Sequence, residues 1–208
     1  MKISYCVSVC NELVEIMKLV ESLTKNKKQD DEIVILFDSD KGSKKVEEYL
    51  RALTVASKGI SWHSAPLNRD FATFKNNFFK YASGDFIVQI DADEIPSEEF
   101  YEWIHYALEQ FDCDMMTVAR KNIVNGITQD HINKWRWSVI EEDGNYLINY
   151  PDFQSRVVRN NGQIKWENKV HEQLKNYKSF ATLPANMFLW HIKDIERQEI
   201  QNNFYESI

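Results

Sequence analysis

Phe86-Ile-Val-Gln-Ile-Asp-Ala-Asp-Glu94 is an apolar run that ends in three carboxylates within four residues. A short, nearly continuous apolar run of this kind suits a strand covered on both faces by other elements. In open α/β sheets ligands bind outside the carboxyl ends of the strands, so the acidic tail marks where a site is expected. Two carboxylates separated by one residue can hold a hard divalent cation that also takes phosphate oxygens. An acidic strand-end turn is the plain alternative for such a pair on its own.

Working outward, the same grammar repeats. Ile3-Ser-Tyr-Cys-Val-Ser-Val9 reads as a strand, and Asn11-Glu12 leads into Leu13, Ile16, Leu19, Val20 and Leu23 at helical spacing. Ile33-Val-Ile-Leu-Phe37 is a second buried strand ending at Asp38-Ser-Asp40, and a helix is expected from Ser43 to about Ala56. Ile60-Ser-Trp-His63 is a short third strand. Phe71, Phe74, Phe78 and Ala82 form one helical face that Ser83-Gly84 terminates. After the acidic tail, Pro96-Ser97-Glu-Glu opens a helix carrying Phe100, Trp103, Ile104, Ala107, Leu108 and Phe111 at i, i+3, i+4 spacing. Strands alternating with helices imply a three-layer α/β fold with a mostly parallel central sheet. Beyond Met115-Met-Thr-Val118 the alternation lapses, and Trp135-Arg-Trp137, Gln154–Arg159, Gln163–Trp166 and Met187–Trp190 read as short strands and loops. No linker separates the halves, so residues 1–208 are read as one domain.

The totals exclude several functions. The 208 residues carry 32 acidic and 25 basic side chains, a formal charge of −7, which argues against a phosphate-backbone binder and so against nucleic acid as partner. Cys6, Cys10 and Cys113 cannot all pair within one chain and read as reduced core residues. No stretch approaches the roughly 20 apolar residues of a transmembrane segment, and the first residues do not read as a signal peptide. A cytoplasmic protein is the expectation.

Asp70-Phe-Ala-Thr-Phe-Lys-Asn-Asn-Phe-Phe-Lys-Tyr-Ala-Ser-Gly-Asp85, continuing into the quoted strand and its Asp-x-Asp, resembles family 2 glycosyltransferases of the GT-A fold. In that family a helix bearing Arg-Asn, a Gly-Asp turn and an apolar strand precede the motif. Lys75-Asn76 stands here in place of Arg-Asn, which keeps a cation but loses its bidentate fork. Val7-Ser-Val-Cys-Asn-Glu12 and Glu32-Ile-Val-Ile-Leu-Phe-Asp38 are similar to the family's first strand with its Asn-Glu turn and to its nucleotide-contacting strand. The usual Gly-Ser after that Asp is absent, so the contact is left between Asp38 and Asp40. Trp166-Glu-Asn-Lys-Val-His-Glu172 is similar to the Val-His-Glu element of a subset including lipopolysaccharide-core glucosyltransferases and SunS-like enzymes.

The resemblance implies a donor-binding half at 1–119 and an acceptor-side half at 120–208. It implies donor contacts from Asn11, Glu12, Asp38, Lys75, Asn76 and Asp91, with a Mn²⁺ or Mg²⁺ ion on Asp91, Asp93 and His191. It gives Glu172 as the base that takes the acceptor hydroxyl's proton, since an inverting transfer needs one. The donor implied is a UDP-sugar, and the acceptor a glycan, a lipid-linked molecule or a protein. Trp135, Trp137 and His171 are the acceptor-side candidates, Trp166 being a further stacking candidate, while Trp103 and Trp190 are read as core. The rivals are a non-catalytic GT-A-like binder of nucleotide sugars and a phosphatase or phosphotransferase using Asp91 as nucleophile and Asp93 as acid/base. The motif's late position and the following Glu-Ile-Pro weigh against a phosphatase. Pro96, where an EF-hand loop requires Gly, weighs against a calcium module.

Overall fold

The apolar runs fold as strands because each can bury both faces at once. In the computed structural model, which describes residues 1–206, β1 (Ile3–Val9), β2 (Glu32–Asp38), β3 (Ile60–Ala65) and β4 (Phe86–Asp91) pair in parallel in the order β3-β2-β1-β4. The register Val7↔Ile35 and Val7↔Ile90 brings Val9, Asp38 and Asp91 to one edge. Helices α1 (Leu13–Asn26), α2 (Lys44–Ala56) and α5 (Glu98–Gln110) bury Ile16, Leu19, Leu23, Val46, Leu50, Phe100 and Ile104 in one core layer. Ser43 and Ser97 cap α2 and α5 by accepting from Val46 N and Phe100 N. The opposite layer packs Phe74, Phe78, Trp166 and Leu174 against Cys6, Val34 and Ile87. Gly42 lets the chain turn tightly after β2, since a Cβ there would lie 2.2 Å from the Phe37 ring.

Three local readings change. The single helix expected over 71–82 is two short ones, α3 (Phe71–Asn76) and α4 (Phe78–Tyr81), with Asn77 between them; its amide bonds the Thr73 and Phe74 carbonyls. Trp103, taken as core, is 46% exposed, because α5 turns Ile104, Ala107 and Leu108 inward instead. Trp135 ends a helix, α6 (Gln129–Trp135), rather than lying in a strand or loop. Thr128 and His131 cap that helix reciprocally, a capping box with His where Glu or Gln is usual.

The second half extends the same sheet. A short β5 (Glu94–Pro96), long β6 (Met115–Asn125) and β8 (Asn145–Arg159), with β7 (Val139–Glu142) and β12 (Phe188–Asp194), give the path β3-β2-β1-β4-β8-β6-β12-β5. β8 enters antiparallel between β4 and β6, and β12 runs parallel to β6. β9 (Lys165–Glu167) and β10 (Gln173–Lys175) form a separate ribbon, β11 (Phe180–Thr182) adds to β6, and α7 (Ile195–Glu206) follows β12. The α/β architecture with a mostly parallel central sheet is the one expected. Among the described residues no helix is long and apolar enough to cross a membrane.

Candidate active site

The carboxyl ends of β1, β2 and β4 open onto a cleft of about 1040 Å³, whose far wall comes from β8, β12, α7 and the segment around β9 and β10. Asn11, Glu12, Asp38, Lys75, Asp91, Asp93, His171, Glu172 and His191 all line it. Asp38 is nearly buried; its Oδ1 accepts from the Asp40 and Leu67 amides. Asp40 is exposed and does not line the cleft. Glu12 Oε2 accepts from Cys10 N and Asn11 N, so it shapes the β1–α1 turn, and its other oxygen meets Arg197 at 3.1 Å. Burial, with Glu12 and Asp38 adding to it, pushes the Cys10 thiol up to about 12.

The two motif aspartates have different surroundings. Asp91 Oδ1 accepts from Ser8 Oγ at 2.7 Å and lies 4.0 Å from Lys75 Nζ, while Oδ2 accepts from Arg156 Nη2 at 2.9 Å. Burial alone would raise its pKa, but Arg156, Lys75 and Ser8 outweigh burial and hold it well below the usual carboxylate range. Asp93 Oδ2 faces His191 Nε2 at 3.4 Å and Arg197 Nη2 at 3.3 Å. Burial again works against its ionisation, and the hydrogen bond and charge of His191 overcome it, so this carboxyl too is depressed. Burial pulls the His191 pKa down, with Asp93 only partly offsetting it.

A ring of buried side chains joins the two aspartates. Arg156 also bonds fully buried Glu94, whose Oε2 accepts the Asp91 amide at 3.0 Å. Glu94 meets Arg120 at 3.3 Å, Arg120 bonds Asp152 Oδ2 at 2.7 Å, and Asn122 Nδ2 bonds the same oxygen at 2.9 Å. Asn122 Oδ1 lies 2.7 Å from His191 Nδ1. The Asn122 amide nitrogen is spent on Asp152 and its oxygen accepts, so His191 carries a proton on Nδ1 and turns Nε2 toward Asp93.

In the neutral form that burial favours, the His191 Nε2 lone pair faces the Asp93 carboxylate at 3.4 Å, donor chemistry that a shared cation would satisfy. Asp93 and His191 therefore fit a divalent ion as a ligand pair. Asp91 is already engaged by Ser8 and Arg156, and among the described residues no group of three His, Cys, Asp or Glu side chains converges as a metal site.

On the opposite wall Lys75, only 6% exposed, lies 2.5 Å from Glu172 and 5.2 Å from the centre of the Trp166 ring. Asn76 differs from its expected place. It does not line the cleft, because both ends of its amide bond the Trp166 backbone and dock β9 onto α3. Trp135 is absent from the cleft wall and stacks between His131 and Trp137, whereas Trp137 lines a second cavity. Trp166 is buried, and Trp190 packs edge-on against Phe188. Arg120, Asn122, Asp152, Arg156 and Arg197 were not singled out in the sequence. The one signal available was a charge set against apolar strand residues, as in Arg156-Val-Val158.

A model of the family described as Glycosyl transferase family 2 matches residues 4–171. In fold the chain is similar to crystal structures of S. aureus TarS. For TarS 1-349 the TM-score is 0.64 at 14% identity, over 92% of this chain and 60% of that one. The same protein in complex with UDP gives 0.63 at 15% identity over 92% and 60%, and in complex with UDP-GlcNAc 0.60 at 16% over 93% and 59%. This chain thus spans about 60% of the length of those chains. No curated protein matches it. With a family match over most of the chain and a GT-A architecture that gathers the motif residues into one cleft, the chain belongs to glycosyl transferase family 2.

Proposed function

We propose that this chain transfers a sugar from a UDP-sugar to an acceptor hydroxyl with inversion at the anomeric carbon, assisted by a divalent cation. The observation that carries the reading is the single cleft in which Asp38, Asp91, Asp93, His191 and Glu172 converge from four separate stretches of chain. In this reading Asp38 and Asn11 hold the base and ribose at the ends of β2 and β1. Asp91, oriented by Ser8 and Arg156, faces the ribose and the sugar. When bound, the cation would be held by Asp93 and His191 and would stabilise the departing diphosphate. Glu172 takes the proton of the acceptor hydroxyl as that oxygen attacks the anomeric carbon and the bond to the diphosphate breaks. Lys75, against both Glu172 and Asp91, sets the base's position relative to the motif. Residues 1–119 carry the donor and residues 120–208 the acceptor side. The complexes of TarS with UDP and UDP-GlcNAc favour uridine as the donor base, given the shared fold.

The test is a panel of UDP- and GDP-sugars scored by thermal stabilisation with and without Mn²⁺ or Mg²⁺, since a ligand that binds only the native state raises the melting temperature by mass action. A UDP-sugar that stabilises only with metal, and loses that effect in Asp93→Ala, is the expected result. Undiminished metal-dependent binding by folded Asp93→Ala would remove the cation from this motif.

A further inference from the structure

Beside the cleft, on the face covered by α7, lies a second cavity of about 330 Å³. It shares Arg120, His191 and Gln201 with the cleft but is not lined by Glu172 or by any of the residues assigned to the nucleotide. Its volume sits at the small end of ligand sites, about 300–1,000 Å³, enough for one ring. The lining is unusual for a core void. Trp137, packed at a tilt against Trp135 with ring centres 4.6 Å apart, supplies a flat aromatic surface, and Asn149, Gln198 and Asp152 supply amide and carboxylate groups. An aromatic face beside planar polar groups is the chemistry that recognises a pyranose, whose C–H face stacks while its hydroxyls hydrogen-bond.

The charge in the cavity narrows the ligand. Lys193 lines it, is 6% exposed, and among the described residues bonds one neutral group, Gln201 Oε1, at 2.6 Å. The nearby carboxylates are taken: Asp93 by His191 and Arg197, Asp152 by Arg120. A buried ammonium whose neighbouring carboxylates, Asp93 and Glu94, are themselves paired with other cations is costly unless an anion meets it.

We infer that this cavity binds an anionic sugar unit of the acceptor, a ring bearing a carboxylate or phosphate that meets Lys193 while its face lies on Trp137. The assignment rests on the transferase reading for the word acceptor, but the cavity and its charge stand independently of it. Sharing Arg120 and His191 with the cleft, the bound ring lies next to the unit that presents its hydroxyl to Glu172.

The experiment titrates the full chain with glucose, glucuronate and glucose 6-phosphate, read by ligand-observed NMR, alongside UDP titrations. The expected result is preference for one or both charged sugars, the two arms telling carboxylate from phosphate. Lys193→Met should abolish that preference, a loss of roughly tenfold or more, the scale of a charged hydrogen bond. Gln201→Glu, which neutralises Lys193 without truncating it, should do the same and guards against misfolding of the first variant. Trp137→Ala should weaken all three sugars and leave UDP unchanged. Equal binding of neutral and charged sugars, indifference to both variants, or displacement of the charged sugar by UDP would overturn the inference. These titrations need no turnover. If no donor supports transfer, the transferase reading fails while the cavity's ligand is still decided.

Discussion

Strands β1 to β4 and strands β6, β8 and β12 belong to one sheet but are held by different physics. In the first group β2 is apolar through its length, with Ile33, Val34, Ile35 and Leu36 all buried, and the charged groups of β2 and β4 appear at the strand ends. The second group buries Arg156, Lys121, His191 and Lys193 within the strands and depends on their pairing. Apolar strands make a rigid ledge whose ends can carry chemistry, while charged strands bring that chemistry into the wall itself. Changes in the first region should therefore act locally, and changes in the second should spread to the site.

The sharpest way to break this contrast is Arg156→Ala, which leaves fully buried Glu94 only its longer contact with Arg120, takes a partner from Asp91, and should cost about 3–5 kcal/mol of unfolding free energy in chemical denaturation. Adding Glu94→Leu should restore much of it, because replacing a buried pair by apolar groups is often near neutral. Ile35→Ala, about 2–5 kcal/mol in the apolar region, has no such partner that can rescue it. A double variant as unstable as Arg156→Ala would show that packing rather than charge holds β8.

Next in size is Glu172→Gln, expected to lower transfer by about 10²-fold in steady-state assays while UDP titrations stay unchanged. The substitution keeps the shape of the side chain and removes its proton affinity. Near-normal transfer would move the base to another carboxylate of the charged region.

Asn122→Ala should weaken metal affinity roughly 10-fold, read by Mn²⁺ electron paramagnetic resonance, because it frees His191 to turn or change tautomer. It touches neither the nucleotide nor the proposed cation, so unaltered affinity would mean that His191 is held by packing alone.

The smallest expected effect concerns the apolar region. Glu32 feels burial that would raise its pKa, but bonds from Lys2, Ser4 and Ser83 bring it down to about 2. A carboxyl depressed in the folded state stabilises fully above its unfolded pKa of about 4.5 and loses that share as pH falls towards 2. Glu32→Gln should therefore flatten the acid limb of the melting curve and lower Tm by a few degrees at neutral pH, on the order of 2–4 °C for about 1 kcal/mol.

The contrast also explains what the sequence could reveal. Ile3–Val9, Ile33–Phe37 and Phe86–Ile90 are legible because strands buried on both faces need no partner residue to announce them. The acids at their ends follow from position, and so the sequence could point to Asp38, Asp91 and Asp93, which line the cleft. Glu172 and His191 came through the family resemblance. Arg120, Asn122 and Asp152 carry no local signature, since their partners lie 26 to 69 residues away in the chain and meet only through strand order. The register shifts in β6 against β8, near Met116 and Arg120, further blur the alternation that would have marked these strands as long. Asn76 misled for the opposite reason: it sits inside a recognisable motif, yet its amide is consumed by the Trp166 backbone.

Arg197 has a consequence in time as well as in space. It reaches from α7 to Glu12, Glu15 and Asp93, the beginning of the first helix and the heart of the acidic motif. During synthesis the ribosome releases β1, the Glu12 turn and the Asp-x-Asp strand long before residue 197 is made. The nascent chain thus holds a nearly complete ledge with three carboxylates whose shared counter-ion has yet to be translated, and the mouth of the cleft is among the last features of the described chain to mature.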